Sequence, residues 1–475
     1  MVEIAVKTIG TATGAVLVAG DADRVCHGCV IDSRLVEGGA VFVAFPGEKV
    51  DGNDFAASAI AAGAGAVVMT REPEADVVAA ANESGCGLLV TQDPTEFLLR
   101  LAHAYRQTLT ARVIGVTGSI GKTTTKDVMA DLLGRRFRVW VTKGNYNNLI
   151  GMPLTILSAP VDTEVLILEM GMNHPGEIDR LSRCAEPSFG VITKVGTSHI
   201  GLLGSRENIA RAKAEIVQGM RAATGEADPV LVLGGEDDFC SFISEGFAAP
   251  AGVEVLRVGT GETDAVRYEN LDVDDLGYPS FDMVGEDGSR VSTKLSIPGA
   301  HSVQNALYGA AIAMRLGITS AEVDETFRDL HVTGRRQEIR RAVCGARVID
   351  DTYNASPESM AAGLELLCRL KCTGSRIAIL GEMGELGDEA SRLHGLTGAY
   401  AAAKKPDLLV CVGGENAQAM ADAAKLMGLD EDVVSVVSDW KAALDSFGPA
   451  LAADDLVLVK GSRFVELDRF VEGVC

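Results

Sequence analysis

Thr117-Gly118-Ser119-Ile120-Gly121-Lys122-Thr123-Thr124 is a run of residues whose types and order suit the binding of a polyphosphate. In such a turn, backbone N–H groups and the positive end of the following helix converge on phosphate oxygens. A lysine reaches the terminal phosphates, and the hydroxyl after it suits Mg2+. Lys122 and Thr123 fill those two places, and Thr117, Gly118, Ser119, Gly121 and Thr124 form the cradle around them. The general phosphate-loop pattern asks for glycine at position 116, where this chain has Val116, so the motif present is T-G-x-x-G-K-T-T. The chemistry expected here is binding of a nucleoside triphosphate.

Other polar residues stand at the ends of apolar runs. Glu169 closes the run VLILEM, where an acid is either a metal ligand or a cap for a helix near His174. His199 follows the run GVITKV at the corresponding end. Lys213 lies in ENIARAKAEIVQGM, a helix with an apolar stripe of Ile209, Ala212, Ile216 and Met220, which puts the lysine on an exposed flank as a solvated charge. Asn145, Asn147 and Asn148 gather in GNYNNLIGMPLT, as amides for a sugar or diphosphate or as plain turn residues. Asp32-Ser33-Arg34 offers a hydroxyl and a bidentate cation for a diphosphate or base edge, although taken alone it reads as a solvated loop.

The elements that must position these residues divide the chain into three units. At ~150 residues per domain, a length of 475 suggests about three. Residues 1–109 read as a small α/β unit with strands at Val41 to Phe45 and Ala66 to Met69, and a closing helix at Leu98 to Leu109. Residues 110–331 alternate strands and helices as a parallel sheet demands. The strands are Val113 to Val116, Val139 to Thr142, Val165 to Met170, Gly190 to Val195 and Val230 to Leu233. Open α/β sheets bind ligands at the carboxyl ends of their strands, which is where the polar residues above fall. From about 250 to 297 the period shifts to two and reads as an antiparallel appendage, after which PGAHSVQNALYGAAIAMRLG forms a helix with Asn305 in its first turns. Residues 332–475 show five strand candidates with helical patterns in most of the intervals, so a doubly wound, Rossmann-like sheet is expected. Asp351, Tyr353 and Asn354 cluster past its first strand and Lys460 to Arg463 past its last. The fold class is thus α/β in three domains, the central one a phosphate-loop parallel sheet.

The net charge of -23, with no Lys/Arg-rich run, argues against a nucleic-acid partner. Ten cysteines are scattered along the chain, and only Cys26 and Cys29 have C-x-x-C spacing, so reduced structural thiols in a cytoplasmic protein are expected. The N-terminal stretch lacks a solid apolar core and a small-residue cleavage site. The longest uncharged run, Phe55 to Thr70, is shorter than the ~20 apolar residues that span a bilayer.

In their order, these landmarks resemble the Mur ligase family across the whole chain. The signature T-G-x-x-G-K-T-T, which accounts for Val116, is followed by GNYNNLIGMPLT, LEMGMNHPGEI, the loop residue His199, AKAEI and PGAHSVQNAL. DDTYNASPESM and LVKGSR are similar to the branch that adds D-alanyl-D-alanine, and the D-N-P-R motif of the branch adding the third residue is absent. One departure is Ser302, where the family often has asparagine. The resemblance implies that Lys122 and Thr123 hold ATP phosphates and a first Mg2+, while Glu169, His199 and a carbamylated Lys213 serve a second. It implies Asn305 at the adenine, Arg336 at the phosphates and Asp351 at the ribose. Ser33 and Arg34 would meet the uridine diphosphate, with Asn145, Asn148 and Asn354 as further substrate contacts.

The activity so implied is ATP-dependent amide formation between UDP-N-acetylmuramoyl-tripeptide and D-alanyl-D-alanine through an acyl phosphate, in a monomer. Amide formation from a carboxylate needs a leaving group, and the γ-phosphoryl supplies one. Three rival readings are a family member adding a different amino acid, a phosphate-loop ATPase switch or motor, and a nucleotide-sugar binding protein without turnover.

Overall fold

Apolar runs such as Val165-Leu166-Ile167-Leu168 leave no face for water, which is what strands covered on both sides by helices require. The structure, a computed structural model, describes residues 3–47, 49–222 and 229–475. Among the described residues such runs assemble into three main sheets, joined by the interleaved helices into an α/β fold.

The first sheet has the strand order Val16–Ala19, Gly87–Val90, Ala66–Met69, Val41–Val43, Cys29–Val30, parallel except for the first pair. The helix Pro94–Arg106 then leads out of it. Asp93 accepts the N–H groups of Thr95 (2.8 Å) and Glu96 (3.1 Å), and Pro94 fits the first helical position, where its missing N–H costs nothing. Phe97, Leu98, Leu99, Leu101, Ala102 and Tyr105 are all buried, because the helix packs on the first unit through one face and on the helices Gly151–Leu157 and Glu177–Ala185 through the other. Burial of each large apolar side chain contributes about 1.5–3 kcal/mol, so this helix welds the first sheet to the second.

The second sheet has nine strands. At its centre the phosphate-loop strand Arg112–Thr117 lies between Val165–Glu169 and Phe189–Ile192, all parallel, with Val139–Val141 beyond the first and Val230–Gly234 beyond the second. All five expected strands are present. The stretch from 250 to 297 is antiparallel in its outer strands, as expected, but it continues the nine-stranded sheet and begins in parallel. Glu254–Gly259 extends the sheet in parallel, Val266–Val273 still meets it in parallel at Val258 and Gly259, and only Pro279–Val284 and Arg290–Lys294 add antiparallel partners. These outer strands have one face toward water, so their alternation hid the fact that they continue a buried sheet.

The third sheet runs Glu338–Arg341, Arg347–Asp351, Leu456–Lys460, Arg376–Gly381, Leu408–Val412, Val434–Val437. The last five are parallel, as a doubly wound sheet requires, and the antiparallel edge strand Glu338–Arg341 is an element the sequence pattern did not reveal. The chain enters this sheet through a tethered linker. His331 and Thr333 donate backbone N–H groups to Asp131 (2.6 Å) and Asp127 (2.8 Å), and Arg335 and Gln337 adopt left-handed φ of 62° and 56°. Such conformations cost on the order of 1–3 kcal/mol each and persist where the surroundings hold them. Here Arg335 is held by Asp468 and Glu472, each at 2.7 Å.

Candidate active site

The phosphate loop owes its shape to two glycines. Gly118 (φ 146°) and Gly121 (φ 87°) take conformations that side chains disfavour, and a Cβ would lie 1.9 Å from Thr193 Oγ1 at the first and 2.3 Å from Asn305 Oδ1 at the second. The loop is pinned from outside by Ser119 N–H on Lys194 O (2.7 Å) and Thr193 Oγ1 on Ile120 O (2.5 Å). Gly121 then opens the helix Lys122–Gly134, which no side chain caps, so its positive end faces the loop. The hydroxyls of Thr117 and Ser119 are buried without hydrogen-bond partners among the described residues. Polar atoms left in that state mark a place for a ligand. Lys122 Nζ donates to Gly118 O at 2.7 Å, and desolvation lowers its pKa while Glu169 works against that shift.

Glu169 ends the neighbouring strand and is buried. Its Oε2 accepts from Thr123 Oγ1 at 2.8 Å, its Oε1 from Asn147 Nδ2 at 2.8 Å, and its backbone N–H donates to Thr142 Oγ1 at 3.0 Å. The helix-cap alternative for this acid falls away. The helix Glu177–Ala185 begins at Gly176, and it is Glu215 that accepts the N–H groups of Gly176 (2.8 Å) and Asp179 (3.2 Å). From the third unit, Arg336 Nη2 donates to Thr123 Oγ1 at 2.8 Å with its guanidinium 4.2 Å above the Tyr353 ring. Thr123 thus joins the phosphate loop, the strand-end carboxylate and the third unit in one contact chain.

Lys213 departs from expectation. It is 1% exposed, where the apolar stripe of its helix placed it on a solvated flank. The helix Arg206–Ala214 buries Ile209, Ala210, Ala212, Lys213 and Ala214, and only Arg211 of its last turn is left exposed. Lys213 has no hydrogen-bond or ion-pair partner among the described residues, and burial followed by repulsion from Lys122 drives its pKa well below the usual lysine value. His199 takes a left-handed φ of 66°, and its Nδ1 lies 2.7 Å from Glu385 Oε2 of the third unit.

The remaining expected residues fall into two groups. Near the loop, Asn305 Oδ1 accepts from Thr125 Oγ1 at 3.4 Å, and Thr124 is half-buried. Asp351 is paired with the buried Lys460 at 2.7 Å, whose Nζ also donates to the backbone O of Asn354 at 3.0 Å, while Asn354 itself is exposed. Away from the loop, Ser33 and Arg34 form a one-turn 3-10 helix after the edge strand Cys29–Val30, and the exposed Arg34 folds onto Asp32 at 2.6 Å. That edge strand packs on the helix Gly151–Leu157, which follows the asparagine tract, so the turn and the tract share one side of the molecule. Within the tract Asn145 is exposed, and Asn148 Oδ1 accepts the N–H groups of Ile150 (3.1 Å) and Gly151 (2.8 Å) as a helix-start residue. Asn147 is the asparagine that reaches the site. Thr142, Tyr353, Lys460 and Glu385 also join it, and the one signal they carried was their position just past apolar runs. Ser302, the departure noted above, bonds Pro298 O at 2.6 Å.

Among the described residues no three His, Cys, Asp or Glu side chains converge into a metal cage. All ten cysteines are free, and burial pushes the Cys26 and Cys29 thiols up to about 12.

Three family models match the chain: "Mur ligase family, catalytic domain" over residues 25–106, "Mur ligase middle domain" over 116–313 and "Mur ligase, glutamate ligase domain" over 334–463. A curated relative, the UDP-N-acetylmuramoyl-tripeptide--D-alanyl-D-alanine ligase of Bacillus subtilis, is 36% identical over 94% of this chain and 93% of its own. Among solved structures, MurF from Acinetobacter baumannii superposes with a TM-score of 0.86 at 28% identity, covering 99% of this chain and 98% of that one. MurF ligase from Thermotoga maritima, in complex with ADP, gives 0.79 at 27% identity over 94% and 96%. With its three sheets in that order and relatives matched from end to end, the chain belongs to the Mur ligase family.

Proposed function

We propose that this protein is the ADP-forming ligase that joins D-alanyl-D-alanine to UDP-N-acetylmuramoyl-tripeptide, a step of cytoplasmic peptidoglycan precursor synthesis. The observation that carries this reading is the contact chain Arg336–Thr123–Glu169. It brings a phosphate-loop hydroxyl, a strand-end carboxylate and a cation of the third unit together where phosphoryl transfer to a carboxylate needs them. The relatives' names supply the substrates. The chain is divided as a nucleotide-sugar unit (1–109), an ATP unit (110–331) and an acceptor unit (332–475), and it acts as a monomer.

The residues fit Mg2+ of the kind that is shared with substrate. Thr123 Oγ1 and Glu169 Oε2 are hard oxygens already 2.8 Å apart, and Mg2+ is ordinarily held by one or two carboxylates together with phosphates and water. Thr123, Glu169, His199 and a carbamylated Lys213 would hold it, and it would neutralise charge on the transferring phosphoryl group. Within the chain's own chemistry, the loop N–H groups and the hydroxyls of Thr117, Ser119 and Thr124 orient the triphosphate. Lys122 leaves Gly118 O for the terminal phosphate, and Arg336 adds a second cation from the opposite side. Asn147 holds Glu169 in place. Asn305 stands at the adenine and Asp351, steadied by Lys460, at the ribose, while Asn145, Asn148 and Asn354 line the substrate's path. The γ-phosphoryl passes to the tripeptide carboxylate, the dipeptide amine attacks the acyl phosphate, and the third unit keeps out water that would hydrolyse it.

Phosphate release measured with each substrate omitted in turn tests the proposal: release should require ATP, the UDP-tripeptide and the dipeptide together. Release from ATP alone would favour an ATPase switch, and ATP binding without any product would favour a binding protein. Arg34→Ala tests the first unit. Its guanidinium is exposed and, among the described residues, tied only to Asp32, so it can turn to a diphosphate, and the KM for the UDP substrate should rise about tenfold with that for ATP within twofold. An equal rise in both would refute the assignment.

A further inference from the structure

The loop after the strand Arg376–Gly381 is tied down with unusual completeness. Three successive backbone N–H groups each donate to a different element: Glu382 to Val412 O (3.2 Å), Met383 to His394 Nε2 (2.8 Å) and Gly384 to Ser462 Oγ (2.9 Å). Ser462, in the KGSR tract, also donates its own N–H to Glu382 O at 3.0 Å. His394 is fully buried and donates Nδ1–H to Ala390 O at 2.7 Å, which leaves Nε2 as an acceptor and fixes the ring as neutral. The next residue, Glu385, therefore projects from a rigid platform, with a left-handed φ of 64°.

Glu385 points across the boundary between the units. Its Oε2 lies 2.7 Å from the buried His199 Nδ1, a close ion-pair contact bent away from hydrogen-bond geometry, and its backbone O accepts the N–H of Gly201 at 3.2 Å. Beneath this pair the backbones touch: a Cβ on Gly201 would lie 2.3 Å from Gly387 N. The backbone of the His199 loop is held by Thr197, whose N–H (2.7 Å) and Oγ1 (3.1 Å) donate to Glu358 of the third unit, and by Ser198 Oγ on Ser119 O (3.3 Å), while Glu385 is the carboxylate that reaches the imidazole of the left-handed His199. The charge of Glu385 is also felt at Lys122, where it opposes the lowering by burial.

We propose that Glu385 is a positioning residue: it orients the His199 ring, and it does so only while the third unit's loop is docked on the central unit. With Glu358 holding the backbone at Thr197 and Glu385 the ring, docking of the acceptor unit is coupled to completion of the site, so that phosphoryl transfer is held back until the acyl phosphate would be enclosed. This rests on the ligase reading for its consequence, but the geometry of the pair stands apart from it.

The test compares Glu385→Ala, Glu385→Gln, His199→Ala and the double variant Glu385→Ala/His199→Ala in the full chain. Glu385→Ala should lower kcat about 10–100-fold, the range for losing a partner that orients a site histidine, with the KM for ATP within about twofold. Glu385→Gln keeps an acceptor oxygen and should stay within about fivefold of the unmodified protein. Adding Glu385→Ala to His199→Ala should cost nothing more. Amide hydrogen exchange across residues 199–204, read without substrates, should speed up in Glu385→Ala and stay unchanged at Gly118–Lys122. Additive losses in the double variant, a Glu385→Gln as impaired as Glu385→Ala, or unaltered exchange at 199–204 would each overturn the proposal. If the unmodified protein fails to join the dipeptide, the ligase reading falls, and the exchange measurement still decides for or against Glu385.

Discussion

Lys122→Ala should abolish ligation, with phosphate release in the presence of all three substrates falling about 10³-fold or more while the melting temperature stays within a few degrees. The large effect follows from where the ammonium can go. Its hydrogen bond is to Gly118 O, inside the loop that would cradle the phosphates, and a charge placed there meets the group that accumulates negative charge during transfer. The small effect on stability follows from the same geometry. One hydrogen bond to a carbonyl contributes about 1 kcal/mol, and removing an enclosed cation relieves a desolvation cost that offsets part of it. Calorimetry and a phosphate-release assay on the same preparation check both halves, and undiminished product formation would overturn the assignment of the loop to ATP.

Lys213→Ala should be nearly as damaging, and it should recover part of its activity when short carboxylic acids are added. A lysine exposed to only 1%, with no ion-pair partner among the described residues and repelled by Lys122, is a poor place for an ammonium. The neutral amine it favours is the form that reacts with carbon dioxide, and the resulting carbamate turns a misplaced cation into an oxygen ligand suited to Mg2+. Formate or acetate could occupy the oxygen positions emptied by the alanine. Lys213→Arg should remain inactive, because a guanidinium stays charged and forms no carbamate under these conditions. Full activity in Lys213→Arg, or absence of the carbamate mass on the intact protein together with no rescue by carboxylates, would sink the idea.

How much of this was legible in the residues alone depended on distance along the chain. The phosphate loop was readable because its geometry is local: two glycines, a lysine and three threonines within eight residues impose it wherever they stand. Glu169 was readable as a strand-end acid, but that it does not cap the helix near His174 shows only in the fold, where Glu215 from another helix takes that place. Lys213 misled because a stripe of apolar residues reports one face of a helix, and it says nothing of neighbours that close over the other. Asn147 and Asn148 are adjacent and alike, and which of them reaches the site depends on the residue at which the following helix starts, a boundary set to within one residue by Asn148 itself. Arg336 and Thr123 are 213 positions apart, and it was the family resemblance, not any period along the chain, that put both at the phosphates.

The strand order of the third sheet has a consequence for the chain as it is made. Its first parallel strand, Arg347–Asp351, and its third, Arg376–Gly381, do not touch, because Leu456–Lys460 lies between them and pairs with both. A ribosome delivers that middle strand about a hundred residues after the first, at roughly 5–20 residues per second. Until then the two earlier strands each present an unpaired edge, and Asp351 lacks the lysine that will share its burial. The halves of the sheet therefore wait for several seconds on one late segment. A message interrupted anywhere before residue 456 yields a unit that cannot close, whatever the quality of the strands already made.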